Sequence, residues 1–252
     1  MRRVAQRTSD SEEASDVSNH QGYLDWFGDL FVPIHRDGHK FLGISLLATI
    51  IGFLLWSALG WILLIATAWI AYFFRDPDRV TPLREGLIIA PADGRVVGIE
   101  RVSPPLELGL SGERTRISIF LSMMDCHVNR APVAGRIARS IYIPGAFFSA
   151  ASEKSSEENE RRALVIETPG GTEVAVLQIA GLISRRIVTF AGEGDTVGIG
   201  QRFGLIRFGS RVDIYLPVGQ AALVSIGQRM VAGETVIADL ASDEPEREAR
   251  RS

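Results

Sequence analysis

One histidine in this chain is suited to acid–base chemistry. His127 is one of four histidines; the others, His20, His35 and His39, lie in a polar N-terminal stretch or just before a long apolar segment. An imidazole titrates near pH 6.5, so it can take up a proton at neutral pH. His127 is therefore the first candidate for a general base, with a purely structural histidine as the alternative. Its neighbour Cys126 would point to the opposite face of a strand, which argues against a Cys/His pair.

A carboxylate that could assist this histidine lies in the turn sequence Pro91–Gly94. Asp93 and Gly94 form an Asp-Gly pair, a common hairpin connection that needs no catalytic explanation. Alternatively, the carboxylate of Asp93 orients His127. That role requires the turn to lie beside the strand that carries the histidine.

A candidate nucleophile is Ser210, which follows Gly209 between two apolar runs. The hydrolase pattern Gly-x-Ser-x-Gly is absent because Phe208 and Val212 occupy the outer positions. The remaining Gly-Ser pair is compatible with a strand bulge or with a strained backbone that offers an unshielded carbonyl to the hydroxyl.

Composition excludes several classes of function. The 27 basic and 30 acidic residues give a net charge of −3, without the basic excess of a nucleic-acid-binding protein. A single cysteine excludes an intrachain disulfide framework and a Cys-rich zinc site, and we expect no metal. The two lysines, Lys40 and Lys154, lie beside the apolar segment and in a polar run, so neither is suited to a Schiff base with pyridoxal phosphate.

The ends of the chain are polar. Residues 1–21 and 241–252 are poor in large apolar groups, which predicts disordered tails. Residues 22–40 form a juxtamembrane segment whose large apolar residues recur at helical spacing. They predict an amphipathic helix, packed on the soluble domain or lying at a membrane interface: Tyr23, Trp26, Phe27, Leu30 and Phe31.

A long apolar segment follows. From Phe41 to Phe74 the sequence carries no charge, and one straight helix of that length would reach about 51 Å, against a hydrocarbon core of about 30 Å. The interruption Ser57–Gly60 predicts a membrane hairpin of two short spans or a re-entrant form, with a buried hairpin of a soluble protein as the alternative. Basic residues flank both ends, so we expect both on the cytoplasmic side: Arg36, Lys40, Arg75, Arg79 and Arg84.

After Pro82 short β-type runs alternate with turn residues, so residues 75–240 are predicted to form a mainly β soluble domain. Its Gly-punctuated hairpins are similar to those of lipoyl- or biotinyl-type barrel-sandwich domains. The predicted strands are Leu87–Ala90, Arg95–Ile99, Arg116–Leu121, Ala163–Glu167, Glu173–Leu177, Arg186–Thr189, Gly204–Phe208, Val212–Leu216 and Val236–Asp239.

Six motifs, in order, make the sequence closely resemble the phosphatidylserine decarboxylase proenzymes, in their short, membrane-anchored subgroup. The resemblance covers roughly Ile34 to Leu240. The motifs are Phe73–Arg79, Pro91–Gly94, His127–Pro132, Asn159–Arg161, Ile179–Gly181 with Arg185–Ile187, and Phe203–Asp213.

The resemblance implies a self-cleaving proenzyme. The hydroxyl of Ser210 would attack the carbonyl of Gly209, and the resulting ester would break by β-elimination, leaving an N-terminal pyruvoyl group. Asp93, His127 and Ser210 match the family's triad for this cleavage, in which the carboxylate orients the imidazole and the imidazole takes the serine proton. Residues 1–209 and 210–252 would form two chains that stay associated.

The resemblance also implies the reaction. The pyruvoyl carbonyl would form a Schiff base with the amine of phosphatidylserine and take up the electrons released with CO₂, giving phosphatidylethanolamine. We expect this at the cytoplasmic face of the cell (inner) membrane, without pyridoxal phosphate or nucleic acid.

Two departures from the family bear on the site. Longer members carry a second histidine where this chain has Arg130, and their Gly-Ser-Thr is Gly-Ser-Arg here, so Arg211 stands beside the predicted pyruvoyl group. Arg185, Arg186 and Arg211 are candidates for binding the phosphate or carboxylate of the lipid.

Three alternatives stay open at this point. The first is a decarboxylase of another serine phospholipid, such as an archaetidylserine. The second is a membrane-tethered β domain that is never processed and acts as a binding or scaffolding module. The third, a serine or cysteine hydrolase, is disfavoured by the missing Gly-x-Ser-x-Gly motif.

Overall fold

A computed structural model of the chain describes residues 32–146, 159–181, 187–207, 210–242, 244–247 and 249. The predicted amphipathic helix at residues 23–31, the N-terminal tail, Gly209, Arg185 and Arg186 lie outside the described residues. The chain divides into two compact units. In their described parts, one comprises residues 32–67 and 75–78, and the other comprises residues 68–74 and those that follow Asp78.

The first unit contains a pair of apolar helices. Helix α1 spans Arg36–Leu55 and α2 spans Ser57–Phe73, whose last residues, 68–73, belong to the second unit. The chain reverses at Trp56, which has extended backbone angles. The interruption thus falls one residue before the predicted one, and Ser57–Gly60 begins α2 instead. Thr49 and Thr67 share a hydrogen bond between their hydroxyls at 2.9 Å, which ties α1 to α2.

Helix α1 is long and apolar enough to cross a membrane by its length and composition, and α2 is a shorter apolar helix. Large side chains such as Leu54, Leu55 and Ile65 are more than two-thirds exposed, as expected of helices that face lipid. The assignment of residues 41–74 to a membrane hairpin stays a prediction.

The second unit is mainly β, which confirms the predicted fold class. In the described part of the chain its strands are β1 (Leu87–Ile89), β2 (Gly94–Val102), β3 (Arg114–Leu121), β4 (Val128–Arg130), β5 (Gly135–Ile143), β6 (Arg161–Glu167), β7 (Glu173–Ala180), β8 (Ile187–Thr189), β9 (Thr196–Val197), β10 (Arg202–Ile206), β11 (Ser210–Tyr215), β12 (Arg229–Met230) and β13 (Val236–Asp239).

Three sheets connect these strands among the described residues. The largest has the order β12-β2-β3-β11-β7-β6-β5-β9, the second has β4-β10-β8, and the third pairs β1 with β13. Strand β11 lies inside the largest sheet and is antiparallel to both β3 and β7. The strand that begins with Ser210 is therefore hydrogen-bonded on both of its edges.

Both faces of the largest sheet are buried at its central strands β7 and β11. Val212 and Ile214 of β11 belong to the larger apolar cluster, whereas Tyr215 packs into a second cluster with Leu177 and Ile179 of β7. Every residue of β11 is consequently buried, and its sequence lacks the alternation of a half-exposed strand.

The turn predictions had different outcomes. Pro169–Gly171 joins β6 to β7 as a hairpin, as predicted, with Glu167 opposite Glu173. Pro91–Gly94 is not a hairpin turn, because β1 pairs with β13 whereas β2 pairs with β3 and β12. The turn therefore carries the chain from one sheet to another.

Candidate active site

Ser210 is the first residue of β11 and is fully buried. It lies opposite Leu121 at the end of β3 and opposite Ala180 at the end of β7. Its buried Oγ has no hydrogen-bond partner among the described residues. A buried hydroxyl without a partner is costly, so its presence points to a chemical role.

His127 is also fully buried and follows β3 through a short turn. Its Nδ1 lies 2.9 Å from the carbonyl oxygen of Asp125. A carbonyl can only accept a hydrogen bond, so the proton lies on Nδ1 and the lone pair is on Nε2 in the neutral ring. The structure thus gives His127 the tautomer of a base that acts through Nε2.

Asp125 holds the turn that carries this carbonyl. Its Oδ2 accepts hydrogen bonds from the backbone N–H of Ser122 at 2.8 Å and from the Ser122 hydroxyl at 2.7 Å. Its Oδ1 accepts one from Arg229 Nη2 at 3.1 Å. These three hydrogen bonds fix the side chain of Asp125. The backbone carbonyl of Asp125 that accepts from His127 therefore has a defined position.

Asp93 is buried and its carboxylate is engaged on both oxygens. Oδ2 accepts a hydrogen bond from Arg79 Nη2 at 2.7 Å, and Oδ1 accepts one from the backbone N–H of Ala232 at 2.8 Å. The described bonds of Asp93 therefore go to Arg79 and Ala232, while Nδ1 of His127 is held by Asp125. Orientation of the imidazole by Asp93 stays a prediction.

The sheet topology brings Asp93, His127 and Ser210 to one end of β3. Asp93 precedes β2, and a methyl group at Gly94 would lie 2.2 Å from the carbonyl oxygen of Phe120, so the turn abuts β3. Ser210 flanks the end of β3 on its other side. His127 follows β3 along the chain, and the N–H of Ile206, at the end of β10 and four residues before Ser210, donates to its carbonyl at 3.3 Å.

The imidazole of His127 packs against an aromatic ring. Its centroid lies 4.3 Å from that of Phe73, with an angle of 36° between the rings. Phe73 is fully buried and also contacts Trp69 and Phe74. The last turn of α2 thus supplies an apolar support for the histidine.

Two buried amides also lie at this end of the sheet, and the sequence analysis assigned them no role. Gln178 Nε2 donates a hydrogen bond to Asn129 Oδ1 at 2.7 Å, and both residues are fully buried. The signal in the sequence was Gln178 itself, a polar residue inside the otherwise apolar run Val174–Ala180. Two further residues were given no role at the site: Arg79, which closes the motif Phe73–Arg79, and Asp125, which lies two residues before the motif His127–Pro132.

Arg211, one of the three arginines considered for the lipid headgroup, is buried and paired. Its Nε and Nη2 donate to the two carboxylate oxygens of Asp213 at 2.6 and 2.7 Å. Arg211 and Asp213 are two residues apart in β11 and therefore share a face of the sheet. Arg185 and Arg186 lie outside the described residues, so the headgroup role of all three arginines stays a prediction.

The face of β11 that carries Arg211 and Asp213 also carries Tyr215, whose phenol has a raised pKa. Burial raises the pKa of the Tyr215 phenol, and the negative charge of Asp213 raises it further. Tyr215 is therefore a neutral hydroxyl at physiological pH. In the described part of the chain, no cluster of three His, Cys, Asp or Glu is placed to hold a metal ion.

These features define a class. It is a mainly β domain in which a buried serine, whose Oγ has no hydrogen-bond partner among the described residues, begins a strand beside β3, and a buried histidine, hydrogen-bonded through Nδ1, follows β3 along the chain.

Comparison with known proteins identifies the family. The family model described as phosphatidylserine decarboxylase matches residues 66–238. The phosphatidylserine decarboxylase proenzyme of Ruegeria pomeroyi is 58% identical over 209 residues, 82% of this chain and 95% of the relative. That of Nitrobacter winogradskyi is 61% identical over 82% of this chain and 84% of the relative, and that of Cereibacter sphaeroides is 52% identical over 91% and 97%. The chain belongs to the phosphatidylserine decarboxylase family.

Proposed function

We propose that the chain is a proenzyme that cleaves itself between Gly209 and Ser210, and that the mature form decarboxylates phosphatidylserine to phosphatidylethanolamine by means of a pyruvoyl group made from Ser210. The observation that carries this proposal is the state of Ser210. It is fully buried, its Oγ has no partner among the described residues, and it begins a central strand.

The cleavage conserves atoms in the following way. Oγ of Ser210 attacks the carbonyl carbon of Gly209, and the peptide bond becomes an ester while the serine nitrogen is freed as an amine. Loss of the Cα proton of Ser210 then expels the Gly209 carboxylate from Cβ. Hydrolysis of the remaining enamine consumes one water and releases ammonia, which leaves the pyruvoyl carbonyl at the start of β11.

His127 is the proposed base for this attack. Its Nδ1 proton is committed to the carbonyl of Asp125 at 2.9 Å, which leaves Nε2 to receive the proton from Ser210. The ring of Phe73 covers the imidazole and helps exclude water from it. The base is therefore oriented and shielded before the reaction begins.

Asp93 contributes the negative charge of the proposed triad. It carries its charge next to Arg79 and the Ala232 N–H, which hold the turn beside the end of β3. A carboxylate fixed there stabilises the imidazolium that forms when His127 takes up a proton. This role needs proximity and does not require a direct bond in the resting proenzyme.

The residues present fit a pyruvoyl group. Cβ of Ser210 would become the methyl group of the pyruvoyl, which suits the fully buried position of a side chain whose Oγ has no hydrogen-bond partner among the described residues, and the keto oxygen would replace the amine on Cα. Such a carbonyl supplies an electron sink for the density left on the substrate Cα when CO₂ departs. His127 is the described imidazole at this end of the sheet and can donate the replacing proton to Cα.

The two chains would remain together after cleavage because of the position of β11. The smaller chain, residues 210–252, would contribute β11 between β3 and β7, β12 against β2, and β13 against β1. Separation would break hydrogen bonds on both edges of β11 and expose its apolar side chains, so we infer a stable heterodimer.

We also propose the cytoplasmic face of the inner membrane as the place of reaction. Helix α1 is apolar and long enough to span a bilayer, and basic residues flank the apolar segment at Arg36, Lys40, Arg75 and Arg79. A diacyl lipid stays in the bilayer, so an enzyme anchored there meets the headgroup at the surface.

A lipid assay tests the proposal. Purified wild-type protein and the Ser210→Ala variant are mixed with vesicles that contain phosphatidylserine labelled at the carboxyl carbon, and released CO₂ is counted. The proposal predicts release by the wild type and none by the variant. A parallel assay with archaetidylserine identifies the preferred lipid, and absence of release from both lipids would contradict the proposed function.

A further inference from the structure

A cluster of buried polar atoms surrounds Gly204 of β10. Asn129 of β4 and Thr189 of β8 both lie opposite Gly204, one on each side. Residues directly opposite in antiparallel strands share a face, so both side chains flank the position where Gly204 has none. A methyl group at Gly204 would lie 2.9 Å from Gln178 Nε2, so the glycine makes room for this amide.

Three atoms of this cluster are open. Asn129 Nδ2, Gln178 Oε1 and Thr189 Oγ1 are buried and have no hydrogen-bond partner among the described residues. Rotation of both amides by about 180° would exchange their oxygen and nitrogen atoms but would leave the same kinds of group open. Two amides that share one hydrogen bond always leave one NH₂ group and one carbonyl oxygen open.

The cluster adjoins the reactive serine. Ser210 lies opposite Ala180, and Gln178 lies two residues before Ala180 in β7. The side chains of Gln178 and Ser210 therefore share a face of the sheet. Diagonal neighbours of this kind are about 7–8 Å apart, within reach of a bound amino acid. Asn129 lies two residues after His127 along the chain. The Gln178 amide thus lies on the same sheet face as Ser210, and the Asn129 amide belongs to the strand that directly follows His127.

We infer that the Asn129–Gln178 pair binds the amino-acid end of the lipid headgroup, with the open NH₂ group donating to the substrate carboxylate and the open carbonyl accepting from the substrate amine. This inference rests on the proposed function. It assigns recognition of the serine moiety to two neutral side chains, and it makes them determinants of specificity.

The chemistry of the reaction favours amides in this position. The carboxylate must be held and then lost as CO₂, so an interaction that stabilises it strongly before the reaction raises the barrier. An amide that donates to the carboxylate carries no positive charge, so it lacks the ion-pair attraction that a guanidinium group adds. An amide therefore orients the carboxylate at a smaller cost to the decarboxylation step.

The test compares substrate with product. Gln178→Glu keeps the side-chain shape and a bond to the Asn129 amide, but its charge repels a carboxylate. We predict that the variant still cleaves itself and that its KM for phosphatidylserine rises roughly 10- to 100-fold, the effect of losing a hydrogen bond to a charged group. Inhibition by phosphatidylethanolamine, which has the amine but no carboxylate, should not weaken.

A second variant and a control complete the design. Gln178→Met removes the open carbonyl that accepts from the amine, at similar volume, and should raise KM for the serine lipid and weaken inhibition by the product alike, because both lipids carry the amine. Gln220→Met loses a single hydrogen bond, to the carbonyl of Asp239, and should leave both values within about twofold.

The outcomes separate the two claims. Equal weakening of substrate and product by Gln178→Glu, or no change in either lipid with both variants, would overturn the inference while leaving the proposed function intact. Failure of both Gln178 variants to cleave would overturn it as well, because the amides would then serve self-cleavage. A wild-type protein without decarboxylase activity would instead contradict the proposed function.

Discussion

The rings of Phe73 and His127 are in contact, with centroids 4.3 Å apart. Phe73 is the last residue of helix α2, so this helix ends in contact with the proposed catalytic histidine. This contact makes the last residue of α2 a support for the proposed base.

The first prediction concerns this support. Phe73→Ala should lower the free energy of unfolding by about 3–5 kcal/mol, because the buried ring leaves a cavity, and should slow self-cleavage because His127 loses its packing. Phe73→Leu should have a smaller effect on both. Stability is measured by thermal unfolding in the Ser210→Ala background, and cleavage by the appearance of fragments 1–209 and 210–252 over time.

The control for Phe73 is its neighbour Tyr72, which is 47% exposed. Tyr72→Ala should change stability by less than about 0.5 kcal/mol and leave the cleavage rate unchanged. Equal effects at positions 72 and 73 would contradict a specific role of the Phe73–His127 contact.

The second prediction concerns the proton on His127. In the uncleaved Ser210→Ala protein, nitrogen-15 NMR of labelled histidines should show His127 protonated on Nδ1, because the carbonyl of Asp125 accepts from that atom. The signal is assigned by its loss in His127→Gln. Asp125→Ala should yield a mixture of tautomers and slow self-cleavage at least about tenfold, since Nε2 is then partly protonated.

Asp125→Asn is the matched comparison for this turn. The amide oxygen can still accept from Ser122, so the tautomer should be retained and the cleavage rate should fall less than with alanine. Protonation of His127 on Nε2 in the parent protein would contradict the assignment.

The third prediction separates a structural role of Arg211 from a role in lipid binding. Asp213 is fully buried, so Arg211→Met leaves its charge unpaired and should cost about 3–5 kcal/mol of stability. The double variant Arg211→Met/Asp213→Leu should recover most of this loss, because a buried ion pair can be replaced by apolar groups. Urea unfolding in the Ser210→Ala background gives the stabilities.

The KM of the cleaved double variant for phosphatidylserine then distinguishes a structural role of Arg211 from a role in lipid binding. A KM for phosphatidylserine within about twofold of the wild type is expected for a structural pair. A stable double variant with a strongly raised KM would show that Arg211 binds the headgroup.

The fourth prediction is a pH dependence. A hydrogen bond from Arg84 lowers the pKa of Asp239 below its usual 3.8. Because the folded-state pKa is below the unfolded one, this carboxylate stabilises the fold at neutral pH, and the contribution is lost as the pH falls below about 4. The difference in unfolding free energy between the parent and Arg84→Met should therefore be present at pH 7 and disappear in acid.

An exposed ion pair supplies the control for Arg84. Arg101 and Glu246 lie 3.6 Å apart with Arg101 74% exposed, so Arg101→Met should show little difference at any pH. A difference for Arg84→Met that persists below pH 2 would contradict the assignment to Asp239.

Local signals predicted much of the fold. The apolar runs of β3, β6, β7 and β13 were found within a few residues, and Pro169–Gly171 predicted its hairpin correctly. Strand β5, Gly135–Ile143, was missed because charged and polar residues interrupt its apolar positions. The turn Pro91–Gly94 was read as a hairpin because pairing of β1 with β13, almost 150 residues later, has no local signature.

The site was predictable only in part. The residue types of Asp93, His127 and Ser210 marked them as candidates, and the family resemblance assigned their roles. The bonds from Arg79 to Asp93 and from His127 to Asp125 depend on how turns fold, which spacing does not reveal. The open amides of Asn129 and Gln178 became visible only when β4 and β7 were placed around Gly204.

The most direct test of the account is the intact mass of the purified protein. Wild type and Ser210→Ala are measured before and after treatment with phenylhydrazine, which reacts with ketones. The account predicts two wild-type fragments divided between Gly209 and Ser210, a mass increase on the smaller fragment only, and an uncut, unreactive variant. A single unreactive wild-type chain, in membranes as well as in detergent, would contradict it and favour an unprocessed binding or scaffolding domain.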